Sequence, residues 1–111
     1  MKVKQKDLIL LPYPFSNLKN SKVRPAIVIS NDDFNKKSDD CIMIPLTTVI
    51  KDEPYSILIT PKNLSSGKLL RLSRVRVDKI FTVEKKLIIV KVGTLNRSTF
   101  EKIKFEISKL F

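Results

Sequence analysis

Short apolar runs separated by turn-forming residues are the feature that most constrains the fold of this chain. Through most of the 111 residues, Pro, Asn, Asp and Ser interrupt apolar segments that are too short for typical helices. Regular spacing of this kind is typical of an all-β unit. The segments expected to form strands are 8–11, 25–29, 41–46, 55–60, 69–77, 80–83 and 87–92.

Two of these segments are apolar throughout, as expected of a strand that is buried on both faces. They are residues 25–29 and 41–46, and Cys41 is expected to be a buried, unreactive thiol in the second. The stretch 31–40 is expected to be a polar connection from which Phe34 reaches into the core. Residues 63–67 are expected to form a turn.

A period of two places three charged side chains together near the middle of the chain. Arg74, Arg76 and Asp78 share one face of a strand, because successive side chains point to opposite faces. The leucines at positions 70 and 72 would share that charged face in an unbroken strand. A bulge or break is therefore expected near Ser73.

The last segment has a helical period instead. Ser98 and Glu101 form a capping box, and Asn96 is a competing N-cap. The pattern predicts a mainly β domain over residues 1–111, with a compact barrel and one C-terminal amphipathic α-helix packed on it. The apolar residues at spacings of three and four are Phe100, Ile103, Ile107, Leu110 and Phe111.

The charge balance restricts the partners. The chain carries 22 Lys+Arg against 11 Asp+Glu, a formal charge of +11. This excess favours nucleic acid, an acidic protein segment or an anionic membrane surface. No apolar run approaches the ~18 residues needed to span a bilayer, and the basic start lacks a signal-peptide apolar region, so a cytoplasmic protein with no membrane contact is expected.

Absent residue types exclude many kinds of site. The chain contains no histidine, two glycines and one cysteine. This composition excludes His-dependent zinc sites, Ser-His-Asp triads, Gly-rich phosphate loops and internal disulfides, so neither metal nor cofactor is expected. Cleavage of RNA by its own 2′-hydroxyl remains open, because it needs only a base, an acid and cations around the phosphate. The residues that can supply these groups are Arg24, Thr47, Arg76 and Asp78. From spacing alone, an ordinary surface ion pair is the favoured explanation of the Arg and Asp.

Four motifs occur in order along nearly the whole chain. They are PYPFS at 12–16 with KVRPAIVISND at 22–32, IPLTT at 44–48, SRVRVDKIFTVEK at 73–85, and GTL at 93–95 before the helix. Together they resemble the PemK/MazF family, the endoribonuclease toxins of toxin–antitoxin pairs.

The resemblance implies an SH3-like β-barrel of the CcdB/PemK type, a homodimer, and metal-independent cleavage of single-stranded RNA that leaves a 2′,3′-cyclic phosphate. By position, Arg24 matches the arginine of the family's Arg-Pro motif and Thr47 the phosphate-holding threonine. Arg76 and Asp78 match an acid and a base. An antitoxin with an acidic segment that covers these residues is also implied.

The chain departs from PemK-like members in the loop before Arg-Pro, where it has neither histidine nor glycine. Residues expected to contact RNA in this loop and beside the Arg/Asp motif are Lys19, Asn20, Lys22, Arg74 and Lys79. The preferred assignment has Asp78 as the base, Arg76 as the acid and Arg24 as a clamp on the phosphate.

Two other functions remain open. One is a toxin of the same fold that does not cleave RNA, acting on a protein like the CcdB toxins or binding RNA alone. The other is a general nucleic-acid-binding barrel in which Tyr13 and Tyr55 stack on bases. A cleavage assay in EDTA distinguishes both from the enzyme.

Overall fold

The part of the chain that the structure describes contains eight β-strands and two α-helices. The structure is a computed structural model that describes residues 2–13, 22–49 and 51–111. The strands are β1 (Asp7–Tyr13), β2 (Lys22–Val28), β3 (Asp40–Thr47), β4 (Ser56–Ile59), β5 (Leu64–Gly67), β6 (Ser73–Arg76), β7 (Phe81–Glu84) and β8 (Val90–Leu95). The helices are α1 (Asp32–Lys37) and α2 (Arg97–Ser108), and 3₁₀ turns lie at Pro61–Asn63, Val77–Lys79 and Lys85–Leu87.

The strands form one curled antiparallel sheet in the order β4-β6-β3-β2-β1-β8-β5. Strand β3 bends between partners: its first half pairs with β7 and its last two residues, Leu46 and Thr47, pair with β6. A bent central strand shared by two neighbours lets the sheet curl towards a barrel. This mainly β architecture with a C-terminal helix confirms the predicted fold class.

Alternate side chains of the central strands enter two separate cores. Ala26, Ile27 and Val28 are all fully buried, which confirms the strand covered on both faces. Ile27 packs in the core that also contains Phe100 and Ile103 of α2, whereas Ala26 and Val28 pack in the other. One face of the sheet is therefore covered by α2, and the other carries the second core.

The polar connection predicted over residues 31–40 contains the short helix α1. Asn31 caps α1 by accepting a hydrogen bond from the Phe34 backbone N–H at 2.8 Å. Phe34 is 37% exposed, so its prediction as a core anchor is wrong. The adjacent Asn35 is buried instead, where its amide donates to the Ser30 carbonyl at 2.8 Å and contacts the Ser30 hydroxyl.

The turn predicted at 63–67 is wrong as well, because Leu64–Gly67 forms β5 and pairs with β8. Gly67 has a φ of +82°, and a Cβ there would meet the Val92 carbonyl oxygen at 2.2 Å. Only glycine fits this close approach of two backbones. The predicted break near Ser73 is confirmed, since β6 begins at that residue.

Helix α2 begins after Asn96, the side chain of which accepts a hydrogen bond from the Thr99 N–H at 2.9 Å. Asn96 is thus the N-cap, and the capping box predicted at Ser98 is wrong. Phe111 lies beyond the end of the helix at Ser108 and is 94% exposed, so it is not part of the apolar stripe as predicted. No helix in the described ranges is long and apolar enough to cross a bilayer.

Candidate active site

Strand β6 places two arginines on the sheet face opposite α2. Ser73 and Val75 are buried, and Val75 belongs to the core that α2 covers. Because side chains alternate along a strand, Arg74 and Arg76 lie on the other face. Burial of the alternate residues of β6 thus determines the sheet face on which both guanidinium groups lie.

Arg76 and Asp78 form a bidentate pair. The Arg76 Nε lies 3.1 Å from Asp78 Oδ1, and its Nη2 lies 3.0 Å from Oδ2. Asp78 belongs to the 3₁₀ turn after β6, so the prediction that it shares a strand face with the two arginines is wrong, and its contact with Arg76 arises from the turn. Val77 anchors that turn, since it is fully buried and its N–H donates to the Tyr55 carbonyl at 2.9 Å.

The paired hydrogen bonds shift both groups towards their charged forms. The hydrogen bond from Arg76 holds the pKa of the Asp78 carboxyl below its ordinary value. The hydrogen bond to Asp78 raises the pKa of the Arg76 guanidinium above its ordinary value. In the free protein the carboxylate is a weakened base and the guanidinium a weakened acid.

Two further carboxylates reach these arginines from the connection between β3 and β4. Glu53 Oε2 lies 3.3 Å from Arg76 Nη1, and Asp52 Oδ1 lies 3.4 Å from Arg74 Nη2. Arg74 also donates through Nε to the Ser56 hydroxyl at 2.9 Å. Sequence reasoning missed both acids, and the only signal was an Asp-Glu pair just before a strand that pairs with β6.

Thr47 and Arg24 lie on neighbouring strands beside Arg74. Thr47 of β3 is the register partner of Arg74. Arg24 lies on β2, the neighbour of β3 on its other edge, two residues before the pairing of Ala26 with Pro45. Thr47 and Arg74 are therefore adjacent on two strands, and Arg24 lies on the next strand of the sheet. Within the described ranges, no hydrogen bond or ion pair joins Arg24 or Thr47 to the Arg76–Asp78 pair.

A cationic cleft of about 470 Å³ opens where β2 begins, β3 ends and β6 begins. Four basic residues line it, together with apolar positions that include Leu69 and Leu70, and none of its described lining residues is acidic. Their side chains make no ion pair with any described residue. The four are Lys22, Arg24, Lys68 and Arg71.

A family profile for the PemK-like, MazF-like toxins of type II toxin–antitoxin systems matches residues 4–111, almost the full chain. The chain belongs to this toxin family. No curated protein sequence matches the toxin at a significant level.

Solved structures share the toxin's fold. An endoribonuclease in complex with its cognate antitoxin from Mycobacterial species is 18% identical, with a TM-score of 0.79 over 96% of this chain and 92% of that chain. A MazE–MazF structure from Deinococcus radiodurans is 14% identical, with a TM-score of 0.81 over 99% and 96%. The Mycobacterium tuberculosis toxin MazF-mt6 is 16% identical, with a TM-score of 0.75 over 93% of each chain. At these identities the likeness shows the fold.

The remaining predicted RNA contacts of the toxin fall in three places. Lys22 lines the cationic cleft. Lys79 follows Asp78 in the 3₁₀ turn, and its charge helps to lower the Asp78 pKa. Lys19 and Asn20 lie outside the described residues, as does the Tyr13 side chain.

Cys41 is separate from this site, in the core on the face opposite α2. Burial raises the pKa of its thiol to about 11, so the prediction of a buried, unreactive cysteine is consistent with its surroundings. Among the described residues, no group of three or more Cys, Asp or Glu side chains is arranged to hold a metal ion.

Proposed function

We propose that this toxin is a sequence-selective endoribonuclease that cleaves single-stranded mRNA by transesterification, without a metal ion. The observation that carries the proposal is the bidentate contact between Arg76 and Asp78, at 3.0 and 3.1 Å, on a face that also presents Arg24, Thr47 and Arg74. This arrangement supplies a base, an acid and phosphate-binding cations within one site.

Asp78 acts as the general base in this mechanism. It accepts the proton of the RNA 2′-hydroxyl, the 2′-oxygen attacks the adjacent phosphorus, and the bond to the 5′-oxygen breaks. The products are a 2′,3′-cyclic phosphate and a 5′-hydroxyl end. An incoming phosphate competes with Asp78 for Arg76, and weakening that contact raises the basicity of the carboxylate.

Arg76 acts as the acid and stabilises the charge that develops on the phosphate. Its raised pKa opposes proton loss. The departing 5′-alkoxide is nevertheless a stronger base than neutral guanidine, so it takes the proton as the bond breaks. After cleavage, Asp78 holds the proton taken from the 2′-hydroxyl, and Arg76 lacks the proton it gave to the 5′-oxygen. Because the two side chains lie at hydrogen-bond distance, the proton on Asp78 passes directly to Arg76 and restores the site.

Arg24, Thr47 and Arg74 hold the phosphate in this scheme. A planar guanidinium fork binds two phosphate oxygens at once, which suits Arg24 as a clamp on the crowded transition state. The Thr47 hydroxyl adds a neutral hydrogen bond. Lys79 and the cleft residue Lys22 bind flanking phosphates, as do Lys19 and Asn20 in the loop before β2.

The proposed antitoxin partner is inferred from the same surface. Residues 1–111 act as one domain that forms a homodimer, and its partner is an antitoxin with an acidic segment complementary to the cationic cleft. Two of the structures of similar fold, the Mycobacterial endoribonuclease and the MazE–MazF structure, include an antitoxin. A toxin that cleaves mRNA works in the cytoplasm.

Cleavage of a long single-stranded RNA in EDTA, followed by analysis of the ends, tests this function. We expect 2′,3′-cyclic phosphate and 5′-hydroxyl ends at a small set of sequence motifs. Loss of cleavage in EDTA that returns with a divalent cation would refute the metal-independent reaction. Binding without any cleavage would favour an RNA-binding protein on the same fold.

A further inference from the structure

Two carboxylates of the β3–β4 connection cover the two arginines of β6. Asp52 contacts Arg74 at 3.4 Å and Glu53 contacts Arg76 at 3.3 Å. The proposed reaction uses neither acid, since Asp78 already serves as its base. Their position on the phosphate-binding cations therefore needs a separate explanation.

The backbone spacing of Arg74 and Arg76 is comparable to the phosphate spacing of a nucleic acid. Arg74 and Arg76 are two residues apart on one strand face, which separates their Cα atoms by ~6.6 Å. This is close to the distance between neighbouring phosphates in an extended single strand. Carboxylate and phosphate oxygens accept hydrogen bonds from a guanidinium in the same geometry. Asp52 and Glu53 thus each occupy an anion position on one of two neighbouring arginines, the kind of position that a phosphate would take.

We propose that the Asp52–Glu53 segment is an internal competitor of RNA, which leaves Arg74 and Arg76 when two consecutive phosphates bind there. The inference rests on the proposed function. It adds two phosphate subsites, at Arg74 and Arg76, and a segment that competes with RNA for them. It also assigns the two acids a role in affinity and none in the chemical step.

The contacts of the segment suit displacement. The Asp52 side chain is 98% exposed, so its ion pair with Arg74 is weak in water. The Glu53 side chain is one-third exposed and reaches solvent in part. Tyr55, which joins the segment to β4, has a φ of 60°, a left-handed conformation that is costly for a residue other than glycine. The Asp78 carboxylate is held more firmly than these two, because the buried Val77 anchors its turn.

The double variant Asp52→Asn/Glu53→Gln tests the proposal against a control of equal charge, Asp33→Asn/Glu84→Gln. The control also removes two exposed ion pairs, with Lys37 and Lys86, away from the site. The probe is a single-stranded RNA with 2′-O-methyl groups, which cannot be cleaved. We expect the test variant to bind this RNA about three- to tenfold more tightly than the control does, the range for two weak competing contacts.

Cleavage of unmodified RNA by the same proteins supplies the second readout. A lower KM with an unchanged kcat supports the proposal. Equal affinity of test and control variants would overturn it, as would a reduced kcat with unchanged RNA affinity, which would make Glu53 a positioning residue for Arg76. The single variant Asp52→Asn avoids any folding defect and should tighten binding in the same direction. A wild-type protein that neither binds nor cleaves RNA would instead refute the proposed function itself.

Discussion

Arg76 donates two parallel hydrogen bonds to Asp78, from Nε to Oδ1 and from Nη2 to Oδ2. Only one residue, Val77, separates the two in sequence. Val77 is buried, and it begins the 3₁₀ turn that contains Asp78. A strand would hold the two side chains on one face, whereas the turn brings them into a fork-to-fork contact. The core position Val77 thus determines the geometry of the proposed acid and base.

Removal of Arg76 should raise the pKa of Asp78 towards the ordinary range near ~3.9, because the hydrogen bond from Arg76 is the main cause of its lowering. A 13C NMR titration of the aspartate carboxyls in Arg76→Gln measures this change. Arg97→Gln, on α2, is the control and should leave Asp78 unchanged.

The same pKa sets the sign of a stability effect. A lowered pKa means that the contact stabilises the folded protein at pH values above the unfolded pKa, and that this stabilisation is lost as the pH falls through the folded pKa. Between those two pH values, Arg76→Gln should weaken the dependence of unfolding free energy on pH. An unaltered Asp78 titration in the variant would contradict the assigned contact.

Arg24→Ala should reduce the single-turnover cleavage rate by ~100-fold, the effect expected when one preorganised donor to a transition-state oxyanion is removed. Binding of the uncleavable RNA should weaken far less. Arg24→Lys should recover only part of the rate, because an ammonium group cannot form the bidentate contact. If Arg24→Ala cleaved RNA at the wild-type rate, Arg24 would have no role in the catalytic site.

Arg71→Ala and Lys68→Ala should each lower the slope of log K against log salt for RNA binding by ~0.7, the value for one phosphate contact on a single strand. Both residues line the cationic cleft. Lys102→Ala, on the outside of α2, removes the same charge and should leave the slope unchanged. If all three variants had the same slope of log K against log salt, the RNA would not bind in the cationic cleft.

The sequence predicts the parts of the fold that depend on local pattern. The continuous apolar stretch 25–29 predicts a strand buried on both faces, and Ala26, Ile27 and Val28 are indeed fully buried. The restart of alternation at Ser73 predicts the break before β6. Both features follow from the pattern of apolar residues, which is the strongest signal of secondary structure in a single sequence.

The features that the sequence does not predict depend on distant partners. Strand β5 exists because Leu64–Gly67 finds β8, and its polar, Gly-ended sequence reads locally as a turn. Helix α1 is a single short unit held by a buried amide, Asn35, where an apolar anchor was expected. Asp52 and Glu53 reach the arginines only because β4 pairs with β6. None of these pairings has a local signature.

The Arg76–Asp78 assignment is the central claim, and Asp78→Asn tests it most directly. Asparagine keeps the size of the side chain but cannot accept the 2′-hydroxyl proton, so the single-turnover cleavage rate in EDTA should fall by ~10²–10⁴-fold. Affinity for the uncleavable RNA should stay equal or increase, because a negative charge is lost. Cleavage by Asp78→Asn at the wild-type rate, with the same cyclic-phosphate ends, would contradict the mechanism.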